Sequence, residues 1–288
     1  MPQVIRAKVL GYCFGARCAV YMALEARREH PGRTVVTFGP IIHNPVAARQ
    51  LEDAGIFVLK DPLARAEPGG IVIIRAHGVP PSVRDELAAA GWTVFDATCP
   101  RIRESQKKAR TACQKGFRVI IAGDKKHAEI TGIRGYAPDA VVVENVEEAA
   151  RAAALLGPSG SFEKTVLIGQ TTLGRDEYRE IAKALALPGL LVHNTICPAT
   201  LERQEALRRL CPQVDGVLVI GGKDSANTRR LLELARQCGS PAALVEDSGG
   251  IPAGFFSLPR VGLSAGASTP DEVINEVESA LLRGKSEM

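Results

Sequence analysis

The chain has 288 residues, of which 45% are hydrophobic and 24% are charged, and its formal net charge is +4. This composition is that of a globular protein long enough for a substantial core. No apolar run approaches the roughly 18 residues of a membrane span, and no dense Lys/Arg block is interleaved with aromatic residues, so we expect neither a membrane anchor nor a nucleic-acid partner.

The first residues, MPQVIRAKVLGYC, run into a short apolar strand and lack the order of basic, apolar and small residues that marks a secretory signal. We therefore expect a cytoplasmic protein. The chain has seven cysteines, and in this setting they favour metal or redox use of some thiols over a disulfide framework.

Strand and helix patterns alternate along the chain, which predicts parallel βαβ units covered by helices. Nine apolar, β-branched runs are strand candidates: 4–10, 34–39, 71–78, 93–98, 117–124, 140–145, 165–170, 216–222 and 260–265. Two clear helix candidates are ARCAVYMALEARREH, which ends at Pro31-Gly32, and RRLLELARQC, which ends at Gly239. The predicted fold class is α/β.

Three cysteines recur at a long period, with separations of 86 and 98 residues. Cys13, Cys99 and Cys197 each follow a strand-like stretch and precede a helix-like one. Parallel sheets expose ligand sites at the carboxyl ends of their strands, so three similar units around a pseudo-threefold axis would bring these thiols together. A helix N-terminus would stabilise each thiolate, and Pro100 and Pro198 suit a first helical turn.

Three convergent thiolates fit zinc with one open position, and they equally fit an iron–sulfur cluster with one iron lacking a protein ligand. Neither a C-x-x-C pair nor a ferredoxin run is present, so local spacing proposes neither site. For any one cysteine alone, a small buried hydrophobe is the alternative. The four cysteines outside the register are assigned to core or surface: Cys18, Cys113, Cys211 and Cys238.

Polar residues recur at strand ends in the same three thirds, about 28 to 30 and about 64 to 73 residues after each cysteine. Helix starts near them have free N–H groups that favour anions, which predicts a cradle for a phosphate or diphosphate. Each residue alone could be a cap or turn residue, and Asn227 could cap its own helix. The stretches GGKDSAN and SAGAST match neither a Walker nor a dinucleotide fingerprint, so ATP and NAD are not predicted. The cradle residues are His43, His77, His127, Thr171, Ser225, Asn227 and Ser268.

Glu129 lies two residues after His127 in this set of loops. As a first-turn helix acid it would be stabilised by the helix dipole. Beside a bound diphosphate and away from water, the same carboxyl would have a raised pKa and could serve as a proton donor.

The motifs GYCFGA, GPIIHNP, RAHGVPP, DATCP, HAE, GQTT, NTICPAT followed by ERQEA, GGKDSANTRRL and SAGASTP occur in this order. They resemble those of the 4-hydroxy-3-methylbut-2-enyl diphosphate reductase family, also called IspH or LytB. The resemblance runs from about residue 4 to residue 282. Nine motifs in order make it specific.

The resemblance implies a trefoil of three parallel-sheet α/β domains around a [4Fe–4S] cluster held by Cys13, Cys99 and Cys197. We place the first domain at 14–97 and the second at 98–193. The third comprises 194–282 together with the N-terminal strand at 1–13, and 283–288 form a tail.

The resemblance also implies the reaction, a two-electron reductive dehydration that gives isopentenyl and dimethylallyl diphosphates at the end of the methylerythritol phosphate route. A ferredoxin or flavodoxin would supply the electrons. The open iron would bind the allylic hydroxyl, and Glu129 would take part in proton delivery with Thr200 near that hydroxyl. The substrate-binding positions carried over are His43, His77, His127, Thr171, Thr200, Ser225, Ala226, Asn227 and Ser268.

Three residues depart from the pattern common in the family. Ala226 replaces a serine and removes one hydroxyl from the cradle, Pro198 follows Cys197 where other residues are common, and Glu202 stands where many members have Asn. Two hypotheses from other classes remain. One is a three-cysteine zinc hydrolase of a phosphorylated substrate, and the other is a redox sensor or binding protein that carries a cluster but needs neither Glu129 nor the cradle.

Overall fold

A computed structural model describes residues 1–59, 66–67, 69–156 and 164–284. Strands and helices alternate through this part of the chain. The strands are β1 (Gln3–Arg6), β2 (Val35–Phe38), β3 (Phe57–Val58), β4 (Ile71–Ile74), β5 (Thr93–Asp96), β6 (Arg118–Ala122), β7 (Val141–Val143), β8 (Thr165–Gly169), β9 (Leu190–His193), β10 (Gly216–Ile220), β11 (Ala242–Val245) and β12 (Arg260–Ala265). The α-helices are α1 (Phe14–Glu29), α2 (Pro45–Asp53), α3 (Pro81–Ala89), α4 (Pro100–Gln114), α5 (Ala128–Arg134), α6 (Val146–Leu156), α7 (Arg175–Leu185), α8 (Pro198–Leu210), α9 (Ala226–Gln237) and α10 (Asp271–Arg283).

The strands form three four-stranded sheets, and every strand pair is parallel. Their orders are β3-β2-β4-β5, β7-β6-β8-β9 and β11-β10-β12-β1. The same order therefore occurs three times, except that the fourth strand of the last sheet comes from the start of the chain. The predicted α/β class with three similar parallel sheets is confirmed.

Central strands are apolar because helices cover both of their faces. All four residues of β4 are buried, and so are all five of β8 and of β10. In the sheet that contains β8, Ile121 and Ile168 pack with Ala109 of α4 and Ile133 of α5. In the sheet that contains β10, α10 supplies the corresponding apolar face.

By its internal contacts the chain divides into two compact units. One comprises 1–20, 42–53 and 198–288 and contains the sheet with β10. The other comprises 21–41 and 54–197 and contains the other two sheets. Each sheet draws all its strands from one of the three predicted domain ranges, but the domain boundaries stay a prediction, and residues 285–288 of the predicted tail lie outside the described part.

Three strands were not predicted from the sequence: β3, β9 and β11. Two of them lie at sheet edges with both faces partly exposed; β3 is two exposed residues, and β9 reads LLVH with two exposed positions. β11 is also an edge strand, only partly buried. None of the helices in the described ranges is long and apolar enough to cross a membrane.

Candidate active site

Each of the three cysteines follows the edge strand that ends its sheet order: Cys13 follows β1, Cys99 follows β5 and Cys197 follows β9. Each backbone N–H donates to a carbonyl two residues beyond the neighbouring strand. The acceptors are Ala267, Ala76 and Thr171, and each N···O distance is 2.9 Å. The register predicted for these cysteines therefore corresponds to one repeated topological position.

The thiols stand where helices begin. Cys99 is the N-cap of α4, with Pro100 as the first helical residue, and Pro198 begins α8 directly after Cys197. The N–H of Ala16, in the first turn of α1, points at Cys13 Sγ from 3.4 Å. Each cysteine therefore stands at a helix N-terminus, where backbone N–H groups stabilise a negatively charged group. All three thiols are half-buried and outside any disulfide.

The other cysteines of the described part lie elsewhere. Cys211 is buried, and Cys18, Cys113 and Cys238 are exposed. Burial and the neighbouring Cys238 thiol raise the pKa of Cys211 to about 11, so this thiol stays protonated near neutral pH. These four occupy core and surface positions.

Cradle residues recur five positions past the second strand in each of the three sheet orders: His43 after β2, His127 after β6 and Ser225 after β10. His127 caps α5 by accepting the Glu129 N–H at Nδ1 from 3.2 Å. Ser225 caps α9 by accepting the Thr228 N–H at 3.3 Å. The polar loops therefore open onto helix N-termini, where backbone N–H groups favour an anion.

Asn227 is not the cap of α9, because Ser225 has that role. Asn227 is 4% exposed, and neither atom of its amide has a hydrogen-bond partner among the described residues. A buried amide of this kind is costly without a partner, and it points to a bound polar ligand. Ala226, the first residue of α9, is also buried, and so is Thr200 in the first turn of α8.

The third strand of each sheet ends near the remaining cradle residues. His77 comes three residues after β4 and Ser268 three residues after β12. The Ser268 hydroxyl donates to the His43 carbonyl at 3.3 Å. In the other unit, the His77 and His127 rings meet edge to face with centroids 5.2 Å apart.

Glu129 is fully buried, at 1% exposure. Its Oε1 accepts the Thr171 N–H at 2.7 Å, and its Oε2 accepts the Thr171 hydroxyl at 2.8 Å. The Thr171 carbonyl in turn accepts the Cys197 N–H. A continuous hydrogen-bonded path thus runs from the carboxylate to the backbone of a candidate metal ligand. Glu129 also lies in the first turn of α5, as expected if its role is that of an acid stabilised by the helix dipole.

Arg203 was not singled out from the sequence. It is buried at 3% exposure; Nε and Nη2 donate to the Gly11 carbonyl at 3.2 and 2.6 Å, and Nη1 donates to the Ala199 carbonyl at 2.8 Å. It therefore fixes the loop before Cys13 to the start of α8. Helical spacing could have indicated that Arg203 is buried, since Thr200, Arg203 and Leu207 share one buried face of α8.

Tyr12 was not singled out from the sequence either. Its hydroxyl is buried and has no hydrogen-bond partner in the described part of the chain, and burial raises its pKa to about 12. The Arg17 guanidinium lies 5.6 Å from the centroid of its ring.

Comparison with known proteins places this geometry in context. The LytB protein family matches residues 4–282. A protein of Treponema denticola, named 4-hydroxy-3-methylbut-2-enyl diphosphate reductase, is 45% identical over 98% of this chain and 99% of its own. A protein of Aquifex aeolicus with the same name is 36% identical, over 98% of this chain and 96% of its own.

Two solved structures are similar to this chain. One, described as (E)-4-hydroxy-3-methyl-but-2-enyl diphosphate reductase, is 35% identical with a TM-score of 0.70 and covers 98% of this chain and 100% of its own. The other, a Plasmodium falciparum reductase, has a TM-score of 0.86 over 96% of this chain and 87% of its own, and at 24% identity it supports the fold alone. The chain is thus an oxidoreductase that belongs to the LytB protein family, as its motifs predicted.

Proposed function

We propose that this chain converts (E)-4-hydroxy-3-methylbut-2-enyl diphosphate to isopentenyl and dimethylallyl diphosphates, the last step of the methylerythritol phosphate route. The names of its relatives support this reaction. The observation that carries it is the path from Glu129 through Thr171 to Cys197, because it joins a buried acid to a candidate ligand of the redox group.

Cys13, Cys99 and Cys197 would hold a [4Fe–4S] cluster at the centre of a trefoil. Three thiols at equivalent strand ends, each partly accessible and one already facing a helix N–H, are a donor set that fits such a cluster. When bound, the cluster supplies electrons singly and offers one iron as a Lewis acid for the substrate hydroxyl. Thiols outside disulfides suit the cytoplasm, where thiols stay reduced.

The diphosphate would bind to neutral donors. The Asn227 amide would gain the partner that it lacks in the described chain, and the first turns of α5 and α9 would direct N–H groups at the phosphate oxygens. Rigid, preorganised donors of this type orient the substrate without bringing more charge to the site. The further proposed contacts are His43, His77, His127, Thr171, Ser225, Ala226 and Ser268.

Proton delivery is the role proposed for Glu129. Hydroxide is a poor leaving group, so a proton on the substrate oxygen lets it leave as water. Burial keeps Glu129 away from solvent, and the Thr171 hydroxyl bonded to Oε2 offers a path for the proton. Thr200, buried in the first turn of α8, would orient the substrate hydroxyl.

Anaerobic turnover tests the proposal. Protein purified without oxygen is mixed with the substrate and reduced methyl viologen, and viologen oxidation and both products are followed. We expect a brown protein that forms both diphosphates. A colourless protein that retains zinc in air and hydrolyses a phosphorylated compound would replace the proposal with the zinc hydrolase.

Replacing Glu129 by Gln keeps the shape of the side chain and removes its proton. We expect Glu129→Gln to retain colour and bind substrate but to lose at least about 100-fold in turnover, the usual contribution of a general acid. Glu147→Gln is the control, because Glu147 is an exposed first-turn acid of α6. Equal, near-native turnover of both variants would remove Glu129 from the mechanism and leave it a helix-dipole role only.

A further inference from the structure

The exposed face of α4 carries a row of three cations. Arg103, Lys107 and Arg110 follow one another at helical spacing and are all exposed, and we call them the basic row. Arg103 contacts Asp96 at 3.2 Å. Within the described ranges Lys107 and Arg110 form no ion pair, so the row keeps a net positive charge.

An apolar strip lies next to the row. α4 and the edge strand β9 flank a surface groove of about 260 Å³, which Phe117, Val166 and Leu191 line together with residues of α4. On β9, Leu191, which lines this groove, is 44% exposed. Exposed apolar groups beside charged ones are typical of a transient protein interface, with a small apolar centre and a polar rim.

This surface leads to a candidate ligand of the redox group, since Cys99 is the N-cap of α4. At 1.5 Å per residue, Arg103 lies about 6 Å and Arg110 about 16 Å along the helix axis from Cys99. A protein that sits over the row therefore lies beside the end of the helix at which electrons are needed.

The proposed reductive dehydration needs a reductant. Two reduced carriers each lose one electron, the allylic C–O bond breaks, and two protons are taken up, one into the released water and one onto carbon. We propose that the basic row and the exposed edge of β9 are the docking surface for an acidic one-electron carrier protein. This inference rests on the proposed reductase function.

Charge and shape favour a protein over a nucleic acid at this surface. The row has three cations and the groove adds Lys108 and Lys115, but Glu104 lies 3.4 Å from Lys108 and the adjoining strip is aliphatic on β9. Nucleic-acid surfaces instead combine longer basic tracks with stacking aromatic side chains. Opposite charge on a carrier would mainly speed its association, by about 10- to 1,000-fold at low salt.

The test reverses charge in the row. The double variant Lys107→Glu/Arg110→Glu is compared with a control of equal charge change, Arg84→Glu/Arg236→Glu, on exposed faces of α3 and α9. An acidic [2Fe–2S] ferredoxin is the probe. Calorimetry measures its binding in the oxidised form, and turnover is driven either by its reduced form or by methyl viologen, at low and high salt.

We expect the row variant to lose at least tenfold in ferredoxin affinity and in kcat/KM at low salt and to become nearly insensitive to salt. The control and all viologen-driven rates should stay within twofold of the native protein. Ferredoxin binding by the row variant that equals that of the native protein would overturn the inference. The inference would also fail if the row variant lost only the binding of a short RNA and kept its affinity for ferredoxin. Failure of the native protein to turn over with viologen would instead count against the proposed reaction, while the calorimetric comparison would still judge the surface.

Discussion

Replacing Arg203 by Met tests the buried guanidinium that holds the loop before Cys13. Its three hydrogen bonds go to two backbone carbonyls, and Arg203 is 3% exposed. The Gly11 carbonyl receives two of them, so Met leaves this acceptor buried without its donors. A hydrogen bond to a charged group contributes about 1.5–3 kcal/mol, and an orphaned buried acceptor costs about 1–3 kcal/mol.

Part of this loss is offset because the Met side chain buries apolar surface in place of a desolvated charge. We therefore expect the free energy of unfolding of Arg203→Met to fall by about 2–4 kcal/mol. Lys in place of Arg should recover less than half of this, because an ammonium has no planar fork to span both carbonyls.

Urea unfolding followed by circular dichroism measures the effect. Arg209→Met is the control, since Arg209 lies on the same helix but is exposed and pairs with Glu205 at 2.8 Å on the surface. That surface pair should contribute less than about 1 kcal/mol. If the Arg203 and Arg209 variants unfold at the same urea concentration, the guanidinium does not anchor the loop and the reasoning is wrong.

The Tyr178 hydroxyl shares its one hydrogen between the Leu167 carbonyl at 3.1 Å and the His193 carbonyl at 2.8 Å, so Tyr178→Phe should cost about 1–2 kcal/mol in urea unfolding; no change would mean that water replaces the hydroxyl. Asn227→Leu removes a buried amide without partners in the described chain, so it should raise the melting temperature of the ligand-free protein while abolishing its stabilisation by pyrophosphate; retained stabilisation would exclude Asn227 from the cradle. Because burial raises the pKa of Tyr12 from 10.0 to about 12, its contribution to stability is complete below pH 10 and is lost as pH rises from 10 to 12. Tyr12→Phe should reduce that loss, and an identical alkaline profile would contradict it.

The sequence predicted the parts of the fold that repeat. Local sequence patterns indicate both the apolar central strands and the positions of Cys13, Cys99 and Cys197 at strand ends. Both features could therefore be predicted from the sequence alone. The edge strands β3 and β9 were not predicted, because each lies in an apolar stretch of only three or four residues, which periodicity alone cannot assign to a strand.

The sequence predicted which residue types make up the candidate site, but it did not predict which of them contact one another. His127 and Glu129 stand out in GDKKHAE, yet the pairing of Glu129 with Thr171 joins positions 42 residues apart and depends on the order of the strands. Arg203 looked like one more charge on α8, because burial of a guanidinium depends on a carbonyl 192 residues away. Long-range pairing of polar groups has no local signal.

The pairing of β1 with β12 also determines when this sheet can form during translation. Gln3 pairs with Arg260, so the first strand leaves the ribosome long before its neighbour exists. At about 5–20 residues per second the wait is roughly 10–50 s. During that interval the other two sheets can fold as their strands emerge, while the segment with Cys13 remains unpaired. All three cysteines of the proposed cluster site can therefore come together only when translation is almost finished.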